Sequence, residues 1–423
     1  MRIAIVSDLH LGYERFEEDA YAQARGALNR AAAMADAILI PGDIFDKRAP
    51  KPEAIAQAIN IFRALSRLEW GARVLGSKSQ GLDRDDVYTS VPIIAIPGTH
   101  ERTAEGRENA LRLLSLAGLL VDTSEAVTTI AKGDERVAVF GLGGVSEERV
   151  RERLKALDPK PVDGAFNVFM FHQSVYELLP FNDEFIHYDD LPAGFDLYVN
   201  GHIHSTVEAT AHSKPLLIPG STVLTQLKEG EQAPKGFLIF DTTTGKHAFE
   251  RIDSRPFIVI RVMADGDTPS QLQSRCDDEI SKALASTSAK PIVRLVVEGT
   301  IAEGFAGSDL PLHALSSKYS QKAFLDLNVS ALKSRQQERE LEELREGKVG
   351  GLSIKEMGMG MLGARLRASG FDSRLDFQEL FNLLASPQSK EKVLRAATEY
   401  IESIASSSSG AATAQRTVAD DGE

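Results

Sequence analysis

Apolar runs in the first half of the chain stop, again and again, on the same few polar residue types. Met1-Arg-Ile-Ala-Ile-Val-Ser runs into Asp8, Ala37-Ile-Leu-Ile-Pro into Gly42-Asp43, and Val91-Pro-Ile-Ile-Ala-Ile-Pro into Gly98-Thr99-His100. Phe166-Asn-Val-Phe-Met-Phe runs into His172, and Asp196-Leu-Tyr-Val-Asn into Gly201-His202-Ile-His204. Such runs read as buried strands. Between them, Phe16 to Ala35, Pro52 to Leu68 and Asn109 to Ala117 have helical spacing. Alternating strands and helices predict a layered α/β sheet. The Gly-, Ser- and Asp-rich stretch Gly71 to Ser90 reads as a long loop. Beyond Leu217, the runs Gly236-Phe-Leu-Ile-Phe-Asp and His247-Ala-Phe-Glu-Arg-Ile suggest antiparallel strands that close the domain.

A boundary falls at Ser254-Arg255-Pro256, giving a first domain over 1–254. A strand over Phe257 to Val262, a helix over Thr268 to Leu284 and a strand over Ile292 to Glu298 make a small second domain, 255–328. From Ser330 to Lys348 the chain is dense in charge, the pattern of a solvated helix or helical linker. Two short apolar helical patterns follow, Met357, Met361, Leu362 and Leu366, then Leu375, Leu380, Phe381 and Leu384. With a last helix near Lys390 to Ile404 they form a region over 329–404. The Ser/Ala/Gly-rich segment 405–423 reads as a disordered tail.

A length of 423 residues fits two to three domains. A hydrophobic share of 43% and a charged share of 26% are those of an ordinary globular protein. Apolar stretches are too short for a membrane span, and the N-terminus lacks the pattern of a signal peptide. The single cysteine, Cys276, excludes an intrachain disulfide and a cysteine-based zinc site, and a reducing, cytoplasmic setting is the simplest expectation. The net charge of -13 argues against a non-specific nucleic-acid coat and mildly against a polyanionic substrate. It leaves room for an enzyme whose bound cations and local basic rim carry the phosphate contacts.

The strand-end residues carry the chemistry. Ligand sites in such sheets lie beyond the carboxyl ends of the strands. Asp8 and His10, two apart, point the same way if the backbone is extended, and His202 and His204 repeat the spacing after Gly201. Asp43 offers two oxygens able to bridge two cations, and His172 adds a nitrogen. Mixed imidazole and carboxylate suits manganese, zinc or iron better than magnesium. Asp-x-His alone is usually a capped turn or surface pair, Gly-Asp alone is common in turns, and Gly-His-x-His alone is only suggestive; their joint order after apolar strands points to a two-metal hydrolase. His187, His212, His247 and His313 fall outside this pattern.

Ser7-Asp-Leu-His10, Gly42-Asp-Ile-Phe-Asp46, Gly98-Thr-His100, His172 and Gly201-His-Ile-His204 resemble the motifs of the calcineurin-like metallophosphoesterase superfamily. Asp8-Leu-His-Leu-Gly-Tyr13 and Phe16-Glu-Glu-Asp-Ala-Tyr21 narrow the resemblance to double-strand-break repair nucleases of the SbcD and archaeal meiotic-recombination type. The resemblance implies a four-layer α/β/β/α sandwich with a small α/β capping domain and C-terminal helices. It implies two manganese ions, one held by Asp8, His10, Asp43 and His204, the other by Asp43, His172 and His202. The family normally has asparagine where this chain has Thr99, a poorer ligand at the second metal. His100 takes the place of a non-ligating catalytic histidine that stabilises or protonates the leaving oxygen, and Asp46 that of the carboxylate orienting it.

The same resemblance selects DNA as substrate, with exonuclease and endonuclease activity at double-strand-break ends. Tyr13, Arg15, Lys47, Arg48, Lys51 and Arg102 are candidate backbone contacts, each of which could equally be solvated surface. It also implies that Met357, Met361, Leu362, Leu366, Leu375, Phe377, Phe381 and Leu384 dock an SMC-like ABC-type ATPase, although the residues alone would favour packing on their own domain. A homodimer is expected through Phe16–Ala35, Pro52–Leu68 or Asn109–Leu120. Two other readings compete. One is a phosphodiesterase or phosphatase acting on nucleotides or phosphoproteins; the other is a non-catalytic DNA-end-bridging subunit whose metal site has decayed through Thr99.

Overall fold

The computed structural model describes residues 1–79, 89–102, 108–287, 289–335, 337–338, 359 and 398. The chain begins with β1 (Arg2–Ile5), α1 (Glu17–Met34), β2 (Ala37–Pro41), α2 (Pro52–Ser66), β3 (Arg73–Ser79), β4 (Ile93–Ile96), α3 (Ala110–Leu116) and β5 (Val121–Asp122). Then come β6 (Ala126–Lys132), β7 (Glu135–Leu142), α4 (Glu147–Leu157), β8 (Phe166–Phe171), β9 (Leu197–Asn200), β10 (Val207–Ala211), β11 (Lys214–Ile218), β12 (Gly236–Asp241) and β13 (His247–Arg251).

Two sheets form, in the orders β13-β12-β1-β2-β4-β5 and β10-β11-β9-β8-β7-β6-β3. Strands β1, β2, β4 and β5 are mutually parallel, as are β7, β8, β9 and β11. Period-2 alternation assigns side chains to layers. Ile3, Ile5, Leu39, Ile94 and Ile96 fill one core together with Val139, Val168, Met170 and Val199 from the other sheet. The intervening Ala4, Val6, Ile38, Ile40, Ile93 and Ala95 pack with Leu28, Phe62, Leu65 and Leu111 of α1, α2 and α3. On the far side Phe140, Phe169, Phe171 and Tyr198 pack with Val150 and Leu154 of α4. This is the four-layer α/β/β/α metallophosphoesterase sandwich. Strands buried on both faces read as unbroken apolar runs, which is why β1, β2, β4, β8 and β9 stand out in the sequence.

Further along lie β14 (Phe257–Asp267), α5 (Pro269–Ala285), β15 (Ile292–Ile301), α6 (Leu312–Tyr319) and β16 (Phe324–Ser334). The chain divides into two compact units. The first holds residues 1–262, 273–296 and 312–328, so it includes one end of each of these three strands. The second holds 263–272, 297–311 and the described residues from 329 onward, with the other ends.

Two expectations need correction. Arg73–Ser79, expected within a loop, is β3, paired antiparallel with β6 at the edge of the seven-stranded sheet. Its polar composition is that of an edge strand exposed to water. Ser330–Ser334, expected within a charged helix, completes β16. The expectations for the rest of that charged segment beyond Glu338, for Met357, Met361, Leu362, Leu366, Leu375, Phe377, Phe381 and Leu384, and for the tail, lie outside the described residues, as do 80–88 of the expected loop.

Candidate metal centre

Parallel strands place their carboxyl ends at one edge, so Asp8, Asp43 and the Gly98–His100 loop emerge together after β1, β2 and β4. His172 and the Gly201–His204 loop emerge likewise after β8 and β9 of the facing sheet. The convergence of Asp8 and His10 does not come from extended backbone. Asp8, His10, Asp43 and His202 all lie in the left-handed region, with φ of 52°, 46°, 51° and 71°. Non-glycine residues are rare there, and each costs about 1 kcal/mol or more. Backbone hydrogen bonds hold these turns: Asp8 N donates to Gly42 O at 3.2 Å and His10 N to Asp43 O at 3.1 Å.

Gly201 permits a close approach. A Cβ there would meet Pro41 O at 2.1 Å, His172 Nδ1 at 2.7 Å and Ser7 Oγ at 2.7 Å. The absence of a side chain lets the two sheets bring their loops together.

Three groups of ligand atoms lie within 4.8 Å of one another: Asp8, His10 and His204; Asp8, Asp43 and His172; and His10, Asp46 and His100. His172 Nδ1 donates to Pro41 O at 2.7 Å, which directs Nε2 into the cluster as the nitrogen that binds a metal once its proton is lost. That nitrogen faces Asp43 Oδ2 at 3.3 Å. Likewise His10 Nε2 and His204 Nε2 face each other at 3.2 Å, near Asp8 Oδ1 at 4.0 Å and 3.8 Å. His172 Nε2 and Asp8 Oδ2 are buried without a hydrogen-bond partner. Buried polar atoms without partners are costly, and a proton or a metal cation among these carboxylates and imidazoles relieves that cost. The nitrogen and oxygen donors present therefore fit divalent metal ions, and the clusters suit a two-metal site.

Electrostatics agree. Burial opposes protonation of His172, but the Asp43 charge and contact overcome it and hold the imidazole up to about 9. Burial likewise opposes the ionised form of Asp43, yet His172, His10 and His100 hold its carboxyl below the usual range. His202 is pushed down to about 4 by burial and then by the His172 charge. It is neutral near pH 7, as a ligand must be. Ser174 Oγ, 2.9 Å from His202 Nε2, donates to Glu147 Oε1 at 2.7 Å, so His202 Nε2 bears the proton and Nδ1 stays free.

His100 is exposed, edge-on to the His10 ring at 5.1 Å. Its backbone N–H donates to Asp43 Oδ1 at 2.9 Å, and its Nδ1 contacts the main-chain carbonyl of Asp46. The Asp46 carboxylate, expected to orient His100, lies 3.4 Å from His10 Nδ1 in the cluster that also holds His100. Thr99 is exposed between Gly98 and His100.

Of the candidate DNA contacts, Lys47 and Lys51 pair with Glu14 at 2.7 Å and 3.1 Å, and Arg15 with Asp326 at 2.7 Å. Tyr13 OH donates to Thr225 O at 2.8 Å. Arg48 is exposed and Arg102 half-buried.

The sequence reading missed Glu101. This buried carboxylate accepts from Asp43 N at 3.1 Å, Phe45 N at 2.8 Å and Gly98 N at 2.7 Å, tying two ligand loops together. Burial and the Asp43 charge push it up to about 8, against the N–H donors that favour its ionised form. Its place directly after His100 was the available signal.

Residues 1–206 match the family described as calcineurin-like phosphoesterase. With the fold and donor set, this shows that the chain carries a calcineurin-like metallophosphoesterase domain, the class of metal-dependent hydrolases of phosphoester bonds. Among curated proteins the chain is similar to Double-strand break repair protein MRE11 of Encephalitozoon cuniculi, 27% identical over 56% of this chain and 44% of that protein. It is similar to the Arabidopsis thaliana protein of the same name, 23% identical over 78% of this chain and 51% of that one. It is also similar to DNA double-strand break repair protein Mre11 of Saccharolobus solfataricus, 26% identical over 71% of this chain and 75% of that protein. The chain thus spans about half the length of the first two. Among the described residues no helix is long and apolar enough to cross a membrane.

Proposed function

We propose that this chain is the nuclease subunit of a DNA double-strand-break repair complex. It hydrolyses phosphodiester bonds at DNA ends, as a 3'-5' exonuclease on duplex DNA and an endonuclease on single strands, and it works with an SMC-like ATPase. The observation that carries the metal-dependent chemistry is the convergence of Asp8, His10 and His204, and of Asp8, Asp43 and His172, with His172 Nε2 and Asp8 Oδ2 buried without a hydrogen-bond partner. The printed names of the relatives support DNA as the substrate.

In this reading Asp8, His10, Asp43 and His204 would hold one manganese ion. Asp43, His172 and His202, with Thr99, would hold the other. When bound, two such cations make a water nucleophilic at neutral pH and neutralise charge on the phosphate oxygens. Asp43 serves both. His100 keeps Nδ1–H on the Asp46 carbonyl and so leaves Nε2 free; in its imidazolium form Nε2–H would give its proton to the leaving oxygen and return to the neutral ring. Arg48 and Arg102 contact backbone phosphates; Arg15, Lys47 and Lys51 would first exchange their acidic partners for phosphate. Exposed Leu113 and Leu116 on α3 and Ile59 on α2 support a homodimer.

Linear duplex DNA and bis-p-nitrophenyl phosphate, each with manganese, test the reading. Cleavage of both, abolished by His100→Gln on DNA, supports it. Cleavage of the small ester alone returns the chain to the other phosphoesterases. Inertness on both, with DNA ends still bridged, favours the structural subunit.

A further inference from the structure

We infer that Thr225, Glu231 and Lys235 act together as positioning residues for His204, fixing which of its ring nitrogens carries the proton. The inference rests on the metal-centre reading above and deepens it.

Thr225 Oγ1 lies 2.5 Å from His204 Nδ1. Glu231 Oε1 lies 3.7 Å from the same nitrogen. The hydroxyl could donate or accept, so alone it does not choose a tautomer. The nearby carboxylate decides: its negative charge favours an N–H on the Nδ1 side, which the hydroxyl then accepts. That leaves the lone pair on Nε2, the atom facing His10 Nε2 and Asp8 Oδ1. The opposite tautomer would aim a proton into the ligand cluster.

The module is anchored so that only these groups remain for His204. Glu231 Oε2 accepts from Thr225 N at 3.2 Å, and Glu231 Oε1 from Gln226 N at 3.0 Å. Tyr13 OH holds the Thr225 carbonyl at 2.8 Å. Lys235 Nζ donates to Glu231 Oε2 at 3.3 Å, to Ser221 Oγ at 2.8 Å and to the main-chain carbonyl of His204 at 3.2 Å. His204 is thereby gripped at its ring and at its backbone by one cluster. Glu231 and Lys235 are both buried, and a buried charge pair is expensive to keep unless it organises something. Here it supplies a charge in the low-dielectric region behind a ligand. Partners of this kind commonly set the orientation and basicity of metal-binding imidazoles. Nothing in the apolar periodicity marks these residues, since they lie on a loop between β11 and β12.

The test uses the full chain and two readouts besides activity. In the metal-free protein, imidazole ¹⁵N shifts report the His204 tautomer; the expected form carries the proton on Nδ1. Manganese binding is measured by calorimetry. Thr225→Val, which removes the acceptor and keeps the shape, is expected to mix the tautomers and weaken one of the two manganese sites by about 10–100-fold. Glu231→Gln is expected to do the same, and Thr225→Ser to restore wild-type behaviour. A Thr225→Val chain with the wild-type tautomer and wild-type affinity overturns the inference. If Thr225→Val fails to fold, the tautomer in wild type against Thr225→Ser and Glu231→Gln decides it: unchanged in Thr225→Ser and altered in Glu231→Gln supports it, unchanged in both overturns it. Failure of the metal-centre reading registers separately, as a wild-type chain that takes up no manganese.

Discussion

Replacing Gly98 by alanine would separate ligand geometry from fold stability. A Cβ at this position would lie 2.1 Å from Asp43 Oδ1, 2.5 Å from Asp43 N and 2.6 Å from Asp43 Cγ. Carbon needs about 3.5 Å to such atoms, so the two loops must part by roughly 1 Å. Rotating the Asp43 side chain relieves the carboxylate but not the backbone nitrogen. Moving the backbone strains the bonds of Glu101 to Asp43 N and Gly98 N, at 3.1 Å and 2.7 Å. Overpacking of this kind costs about 1–3 kcal/mol of stability. The catalytic loss should be larger in effect, because a shift of about 1 Å in a positioned group costs around 100-fold. Asp43 is proposed to serve both metals, so its shift is felt at each.

The assay is kcat/KM for bis-p-nitrophenyl phosphate at saturating manganese, beside thermal unfolding of the metal-free chain. Gly98→Ala should lose about 100-fold, or ~2.7 kcal/mol of transition-state stabilisation. Gly76→Ala, on β3 with nothing within 4 Å of the added carbon, is the control and should retain wild-type rates. Wild-type kcat/KM and an unchanged melting temperature in Gly98→Ala would show that the loops yield freely, and the geometric argument would be wrong.

Glu101→Gln presents one oxygen where the carboxylate presents two, so one of the three N–H donors of Gly98, Asp43 and Phe45 is orphaned. The expected loss, read by denaturant unfolding, is about 1–3 kcal/mol. His172, raised from 6.5 to about 9, gives stability that is complete below pH 6.5 and lost as pH rises through 9. Glu101, raised from 4.5 to about 8, also binds its proton more tightly when folded, so it subtracts stability as pH climbs from 4.5 to 8. The metal-free chain should therefore weaken with rising pH, and His172→Gln should flatten the upper part of the melting-temperature profile. Because a ligating imidazole must shed its proton, manganese affinity should climb with pH up to about 9, with proton release seen by calorimetry in buffers of different ionisation heat. Thr99→Asn should tighten one of the two manganese sites by providing an amide oxygen; unchanged affinity would remove Thr99 from the ligand set.

The parts legible in the sequence were those where one constraint fixed both pattern and position. Strands buried on both faces had to be continuous apolar runs, so β1, β2, β4, β8 and β9 announced themselves, and the residues at their ends came with them. An edge strand obeys no such constraint. Arg73, Leu75 and Lys78 of β3 face water, and a polar run of that kind reads as loop. The convergence at Asp8 and His10 was expected from strand alternation, yet the chain reaches it through left-handed turns, a conformation that residue type hardly signals. Groups that hold the ligands in place were the least visible. Glu101, Ser174, Thr225, Glu231 and Lys235 act on ligands or ligand loops 21 to 58 positions away, and any polar residue can occupy a loop for many reasons. The ligands themselves are limited to a few residue types by coordination chemistry. Their supports need only a donor or acceptor at the right place, so sequence carries the identity of the first far better than that of the second.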